Sequence, residues 1–191
     1  NDNSNCLSDS KIMIKFFDVR KQDKNILYKF NKKIKNLYKT SDFINGEETI
    51  KFEKNFQNLI KSKYLLTCNS GTDAIFIALK SLKLKKNSEV ILPAMTYCSA
   101  AYSVIRSGFI LKLVDVEKNR STICPKDLKN KITKKTSAVI ATHLHGGPCN
   151  IKEIKKIIRG KKIKLIEDVA QAHGAFDASY GKRGKILGSI G

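Results

Sequence analysis

Four short segments of this chain hold residue types that can do chemistry together. The first is Asn69-Ser70-Gly71-Thr72-Asp73, set between an apolar run and an apolar helical stretch. At such a junction the free N–H groups of the helix's first turn and the helix dipole favour an anion, often a phosphate. Gly71 lets a ligand approach the backbone, and Ser70 and Thr72 add hydroxyl donors. The same five residues also read as an ordinary helix cap, with Ser70 or Thr72 capping and Asp73 complementing the dipole. They are neither a GxxxxGK[ST] phosphate loop nor a dinucleotide fingerprint, since the second and third glycines of the latter are absent. The second segment, Pro93 to Ser99, puts Tyr97 after an apolar run and among small neighbours. An aromatic ring there can stack on a flat ligand, or simply fill the core.

The third segment runs from Glu167 to Gly174 and opens with two carboxylates directly after an apolar run. Strand alternation sends Glu167 and Asp168 to opposite faces. One of them therefore faces the ligand end or a partner. A buried Asp needs a cation or hydrogen-bond donors, and a protonated heteroaromatic nitrogen would be such a cation. Gln171 can donate to a ring oxygen, and His173 reads as a structural histidine. In the fourth segment His143, His145 and Cys149 lie close in sequence, which makes a metal site conceivable. No carboxylate lies near them in sequence and Gly146-Gly147-Pro148 marks a turn, so no metal is assigned.

The elements that must hold these segments alternate. Apolar runs at 64–68, 90–92, 109–114, 138–142 and 163–166 are separated by helical stretches at 72–82, 99–106, 126–131 and 151–158. That alternation predicts an α/β domain with a mainly parallel sheet and flanking helices. Ligands of such sheets bind beyond the carboxyl ends of the strands, where the four segments lie. Ahead of the sheet, residues 1–11 read as a disordered tail and 12–19 as a short apolar segment. Helical spacing follows at 21–39, where Ile26, Leu27, Phe30, Ile34, Leu37 and Tyr38 recur on one face. Asn45-Gly46 breaks it, and a second amphipathic helix is expected over 47–61, burying Ile50, Phe56, Leu59 and Ile60. The expected organisation is thus a tail (1–11), a helical arm (12–62) and an α/β domain (63–191).

The net charge of +20 is large enough to suggest nucleic acid or an anionic surface. Only five of the 37 basic residues are arginine, and the lysines are spread along the chain among Asn and Ile. Base readout leans on arginine and no nucleic-acid-binding motif is present, so compositional bias explains the charge better and no nucleic-acid partner is expected. No apolar run approaches the roughly 18–20 residues of a membrane span, and the polar start lacks a signal peptide's apolar region. Five cysteines, an odd number without a CxxC pair, argue against a disulfide framework or a structural zinc. A cytoplasmic protein is expected. The first Met is Met13, as in a cut chain.

Taken in order, the segments resemble the DegT/DnrJ/StrS family of sugar aminotransferases. The resemblance is carried by Phe16-Phe17-Asp18, Phe43-Ile44-Asn45-Gly46-Glu47, Asn69 to Ala74, Pro93 to Tyr97, Val114-Asp115-Val116, His143 to Gly146, Glu167 to Gly174 and Gly188 to Gly191. Two positions depart from the family pattern. The Asn of the second motif is displaced, and His145 stands where Tyr is common.

The resemblance implies a large domain of the aspartate-aminotransferase type (pyridoxal-phosphate fold type I), truncated at its C-terminal end. It implies pyridoxal 5′-phosphate as cofactor, with Gly71 and Thr72 at the phosphate, assisted by Ser70. Tyr97 would stack on the ring, Asp168 pair with the ring nitrogen and Gln171 contact the ring hydroxyl. It further implies a nucleotide-linked keto sugar as acceptor, an amino acid as amino donor and a homodimer when complete. The Schiff-base lysine of the family would fall beyond Gly191, so no catalytic residue is assigned and the piece alone is expected to be inactive. Two alternatives stay open: a cofactor-dependent sugar dehydratase of the same family, and a non-catalytic binding or regulatory module.

Overall fold

The computed structural model describes residues 24–181 and 184–191, so the tail 1–11, the apolar segment 12–19 with its Phe16-Phe17-Asp18 motif, and Lys182 fall outside the described residues. The described residues fall into two compact units, one ending at Glu47 and the other beginning at Glu48. The first contains α1 (Lys24–Thr40), whose side chains are none of them buried. Asp42 closes the entry to α2 (Glu47–Ile60) by accepting from the Glu47 N–H at 2.9 Å.

The second unit is an α/β layer structure. After α3 (Gly71–Ser81) come β1 (Glu89–Pro93), α4 (Cys98–Arg106), β2 (Ile110–Val114), α5 (Pro125–Lys131), β3 (Thr136–Thr142), α6 (Ile151–Ile158) and β4 (Lys164–Asp168). The four strands form one parallel sheet in the order β2-β1-β3-β4. A small antiparallel pair, β5 (Phe176–Asp177) and β6 (Lys185–Ile186), follows.

The continuous apolar runs of β1 and β3 are explained by burial on both faces. Val90 and Leu92 of β1, with Ala138 and Ile140 of β3, pack against Ile75 and Leu79 of α3 and Ala100 and Val104 of α4. Their neighbours Ile91, Val139 and Ala141 point the other way, to Leu128 of α5 and Ile151, Ile154 and Ile158 of α6. Successive residues of a strand thus feed two separate cores. No helix among the described residues is long and apolar enough to cross a membrane.

Two sequence expectations fail. Residues 64–68 form no strand: Tyr64 and Leu66 are 77% and 90% exposed, and Thr67 is held instead by Glu53, which accepts from its N–H and its hydroxyl. An apolar run becomes a strand only where a neighbour completes its hydrogen bonds, and the described residues offer this one none. The expected burial of α2 is only partial, with Ile50 and Leu59 more than half exposed and Phe56 and Ile60 half-buried. Helical spacing sets which residues share a face, not whether anything covers it.

Candidate functional site

The N-terminus of α3, the segment that follows β1 and the carboxyl ends of β3 and β4 meet at one cavity of about 230 Å³. The chain adds β2 on one side of β1 and β3 on the other, so the cavity opens near the point where the sheet's growth reverses. Gly71, Thr72, Tyr97, Asp168 and Gln171 all line it, together with Ile75, Ser99, Thr142, Leu144 and Ala170. Five of the six residues singled out in the sequence are therefore brought together from segments 100 positions apart. Size is not what distinguishes this cavity. A hollow of about 880 Å³ beside Leu84, Thr136 and Ile163 is larger, but its lining has no carboxylate and no aromatic ring.

Ser70 is the sixth residue, and it acts as the N-cap of α3. Its Oγ accepts from the Asp73 N–H at 3.2 Å and donates to Asp73 Oδ2 at 3.1 Å. The first intrahelical bond runs from the Ala74 N–H to the Ser70 carbonyl. This leaves the N–H groups of Gly71 and Thr72 without an intrahelical acceptor, at the positive end of the helix. Gly71 has ordinary helical backbone, and a Cβ built on it would meet nothing within 4 Å. Neither conformation nor packing asks for glycine here. The space its missing side chain leaves belongs to the cavity it lines.

Tyr97 precedes α4 with extended backbone and is 71% exposed, so it is a rim residue and not a core one. Just before it, Thr96 Oγ1 bonds Thr142 Oγ1 at 3.2 Å and ties the end of β1 to the end of β3. Thr142 is level with Asp168 in the β3–β4 pairing, and the His143 N–H donates to the Asp168 carbonyl at 2.9 Å. Asp168 Oδ1 accepts from the Ala170 N–H at 3.1 Å. Gln171 Oε1 accepts from the His145 N–H at 2.8 Å, which leaves Nε2 as the end able to donate. Sequence reading missed Thr142 and Thr96. Thr142 offered only its place at the end of an apolar run and Thr96 its place in the segment that follows another, and the pairing of the runs is a tertiary fact.

Glu167, one position before Asp168, points away from the cavity. Its side chain is 3% exposed and receives the His143 Nε2–H at 3.1 Å, the Gly188 N–H at 3.2 Å, the Ile190 N–H at 2.7 Å and the Gly191 N–H. Burial alone would push this carboxyl up; His143 and the three backbone donors outweigh it and hold the group below the usual glutamate range. The His143 ring has no vacant nitrogen, since Nδ1 accepts from the Cys149 N–H at 3.0 Å and the proton on Nε2 goes to Glu167. Cys149 is buried, which pushes its thiol up to about 12 and keeps it protonated; its Sγ donates to the Thr142 carbonyl at 3.1 Å. Both groups are committed to structure, and among the described residues no cluster of His, Cys, Asp and Glu has the make-up of a metal site. His173 and Phe56 pack edge to face, 5.5 Å between ring centroids.

The chemistry of the cavity is now defined by three features: an anion-accepting helix end, an aromatic rim and a carboxylate beside an amide donor. The sequence model of the DegT/DnrJ/EryC1/StrS aminotransferase family matches residues 24–191. A dTDP-3-amino-3,6-dideoxy-alpha-D-galactopyranose transaminase from Aneurinibacillus thermoaerophilus is 30% identical over 179 residues, covering 94% of this chain and 48% of its own. A GDP-4-keto-6-deoxy-D-mannose 3-dehydratase from Escherichia coli O55:H7 is 33% identical, over 75% of this chain and 39% of its own. The crystal structure of NtdA from Bacillus subtilis with bound cofactor PMP superimposes with a TM-score of 0.78 at 29% identity, over 83% of this chain and 37% of that one. The chain spans less than half the length of each of these proteins.

Proposed function

The chain belongs to the DegT/DnrJ/EryC1/StrS aminotransferase family, and on that premise we propose that the intact protein transfers an amino group to a nucleotide-linked keto sugar, with pyridoxal 5′-phosphate held in the cavity at the ends of β1, β3 and β4. The α/β unit has the fold of the aspartate-aminotransferase-like (fold type I) large domain. The observation that carries the reading is convergence. Helix-end N–H groups without an intrahelical acceptor, an exposed aromatic ring and a carboxylate, from α3, the residue before α4 and β4, line one cavity, and this cofactor has a complement for each.

In this reading the Gly71 and Thr72 N–H groups and the Thr72 hydroxyl hold the phosphate, while Ser70 fixes the turn by capping α3. Tyr97 covers a face of the ring. Asp168 accepts from the ring nitrogen and keeps the proton on it, and Gln171 Nε2 donates to the ring hydroxyl. When bound, the cofactor supplies a ring that takes up negative charge developing beside the amino-bearing carbon. The fixed negative charge of Asp168 is what makes the ring nitrogen cationic enough for that. The amino donor would be an amino acid and the active form a homodimer. The dehydratase relative supports a second outcome at the same cavity, sugar dehydration. Product analysis separates the two, since only amino transfer incorporates donor nitrogen into the sugar.

Gly71 tests the fit of the cavity. Gly71→Ala should leave folding stability unchanged or raise it by up to about 1 kcal/mol, because Ala is the better helix former and meets no protein atom. In the intact protein it should weaken binding of pyridoxamine 5′-phosphate by about tenfold or more, a loss of roughly 1.4 kcal/mol, because the methyl takes space claimed by the phosphate. Unchanged affinity, read by fluorescence titration, would place the phosphate elsewhere.

A further inference from the structure

Arg106 closes α4 and reaches the first turn of α3. Its Nη1 donates to Asp73 Oδ1 at 2.7 Å, and its guanidinium lies over the Phe76 ring, 4.2 Å from the centroid. One turn earlier in α4, the buried Ser103 Oγ lies 2.9 Å from the Thr72 carbonyl and 2.8 Å from the Ser99 carbonyl, within reach of donating to either. Helix α4 therefore grips residues 72 and 73, while its own Ser99 and the preceding Tyr97 line the same cavity.

Asp73 poses an electrostatic problem. An acidic side chain in a first turn suits the dipole of a bare helix. It opposes a second anion brought to the same helix end. Its carboxylate is ionised and fully engaged: Asn69 Nδ2 donates to Oδ2 at 2.8 Å, Ser70 Oγ donates to Oδ2 at 3.1 Å, and Arg106 takes Oδ1. Asn69 first, then Arg106 and Ser70, hold the carboxyl below the usual aspartate range. Of these three donors only Arg106 brings a positive charge.

We propose that Arg106 is a positioning residue for the anion end of the cavity, cancelling the charge of Asp73 so that the helix end can accept a phosphate. The inference rests on the reading that the cofactor phosphate sits at Gly71 and Thr72. Arg106 acts through Asp73 and need not touch the ligand.

A double-mutant cycle with two probes tests it in the intact protein: the dissociation constants of pyridoxamine 5′-phosphate and of pyridoxamine. Arg106→Gln should weaken the phosphorylated probe about three- to fivefold and pyridoxamine by less than about twofold. Arg106→Lys, which keeps the charge, should recover most of the loss. Asp73→Asn placed on Arg106→Gln should return affinity for the phosphorylated probe to within about twofold of wild type, because the charge needing cancellation is gone. If Arg106→Gln weakens both probes alike and Asp73→Asn rescues nothing, Arg106 is only a structural clamp and the proposal fails. If wild type binds the two probes equally, phosphate is not recognised at α3 at all. That result overturns the cofactor reading itself and the proposal with it.

Discussion

Asp168→Ala is expected to lower the turnover of the intact protein by on the order of 10²–10³-fold, the cost of removing one preorganised electrostatic group from a reacting centre. The residue lines the cavity and sits at the end of β4, level with Thr142. Among the described residues its one side-chain hydrogen bond is the local one from the Ala170 N–H, so its removal should leave the sheet and both cores standing. The loss should fall on kcat and kcat/KM together, with KM for the sugar little changed, as for an interaction that matters in the transition state. Asp168→Asn keeps the shape but not the charge and should fail almost as badly. Turnover within about twofold of wild type would remove Asp168 from its assigned role.

Its neighbour should behave in the opposite way. Glu167→Ala is expected to cost about 3–5 kcal/mol of folding stability, the usual result of breaking a buried charge-assisted network from one side. Four donors lose their acceptor at once: His143 from the end of β3, and the N–H groups of Gly188, Ile190 and Gly191. Denaturant titration of the intact protein reads the cost. The pH dependence has a definite sign. The folded carboxyl is depressed, so its contribution is fully present above the unfolded value, near the ordinary 4.5, and is lost as pH falls through the lower folded value. The stability gap between wild type and Glu167→Gln should therefore hold steady from pH 7 down to about 5 and close below that. A gap that widens toward acid would mean that the carboxyl is not held ionised.

The contrast between these adjacent carboxylates marks how far the sequence could be read. Alternation along β4 required Glu167 and Asp168 to face opposite ways, and it could not say which faced the ligand. That depends on β3 bringing His143 beside Glu167, across 24 positions. The four sheet strands were legible because they are short apolar runs bounded by turns, and the parallel order followed from the helices between them. Residues 64–68 carry the same apolar signature without a strand partner among the described residues, so composition alone misled there. Ser70 was legible as a cap because capping is local. Arg106 was not, because its ion pair with Asp73 joins residues 33 apart on two helices whose packing no local pattern encodes.

The central claim is that Asp168 meets a protonated ring nitrogen in this cavity, and the most direct measurement is the nitrogen-15 resonance of ring-labelled pyridoxamine 5′-phosphate bound to the intact protein. At pH 8 the wild-type complex should show the shift of a protonated pyridine nitrogen, and the Asp168→Ala complex that of a neutral one. A neutral nitrogen in the wild-type complex, or a protonated one that survives the substitution, would contradict it.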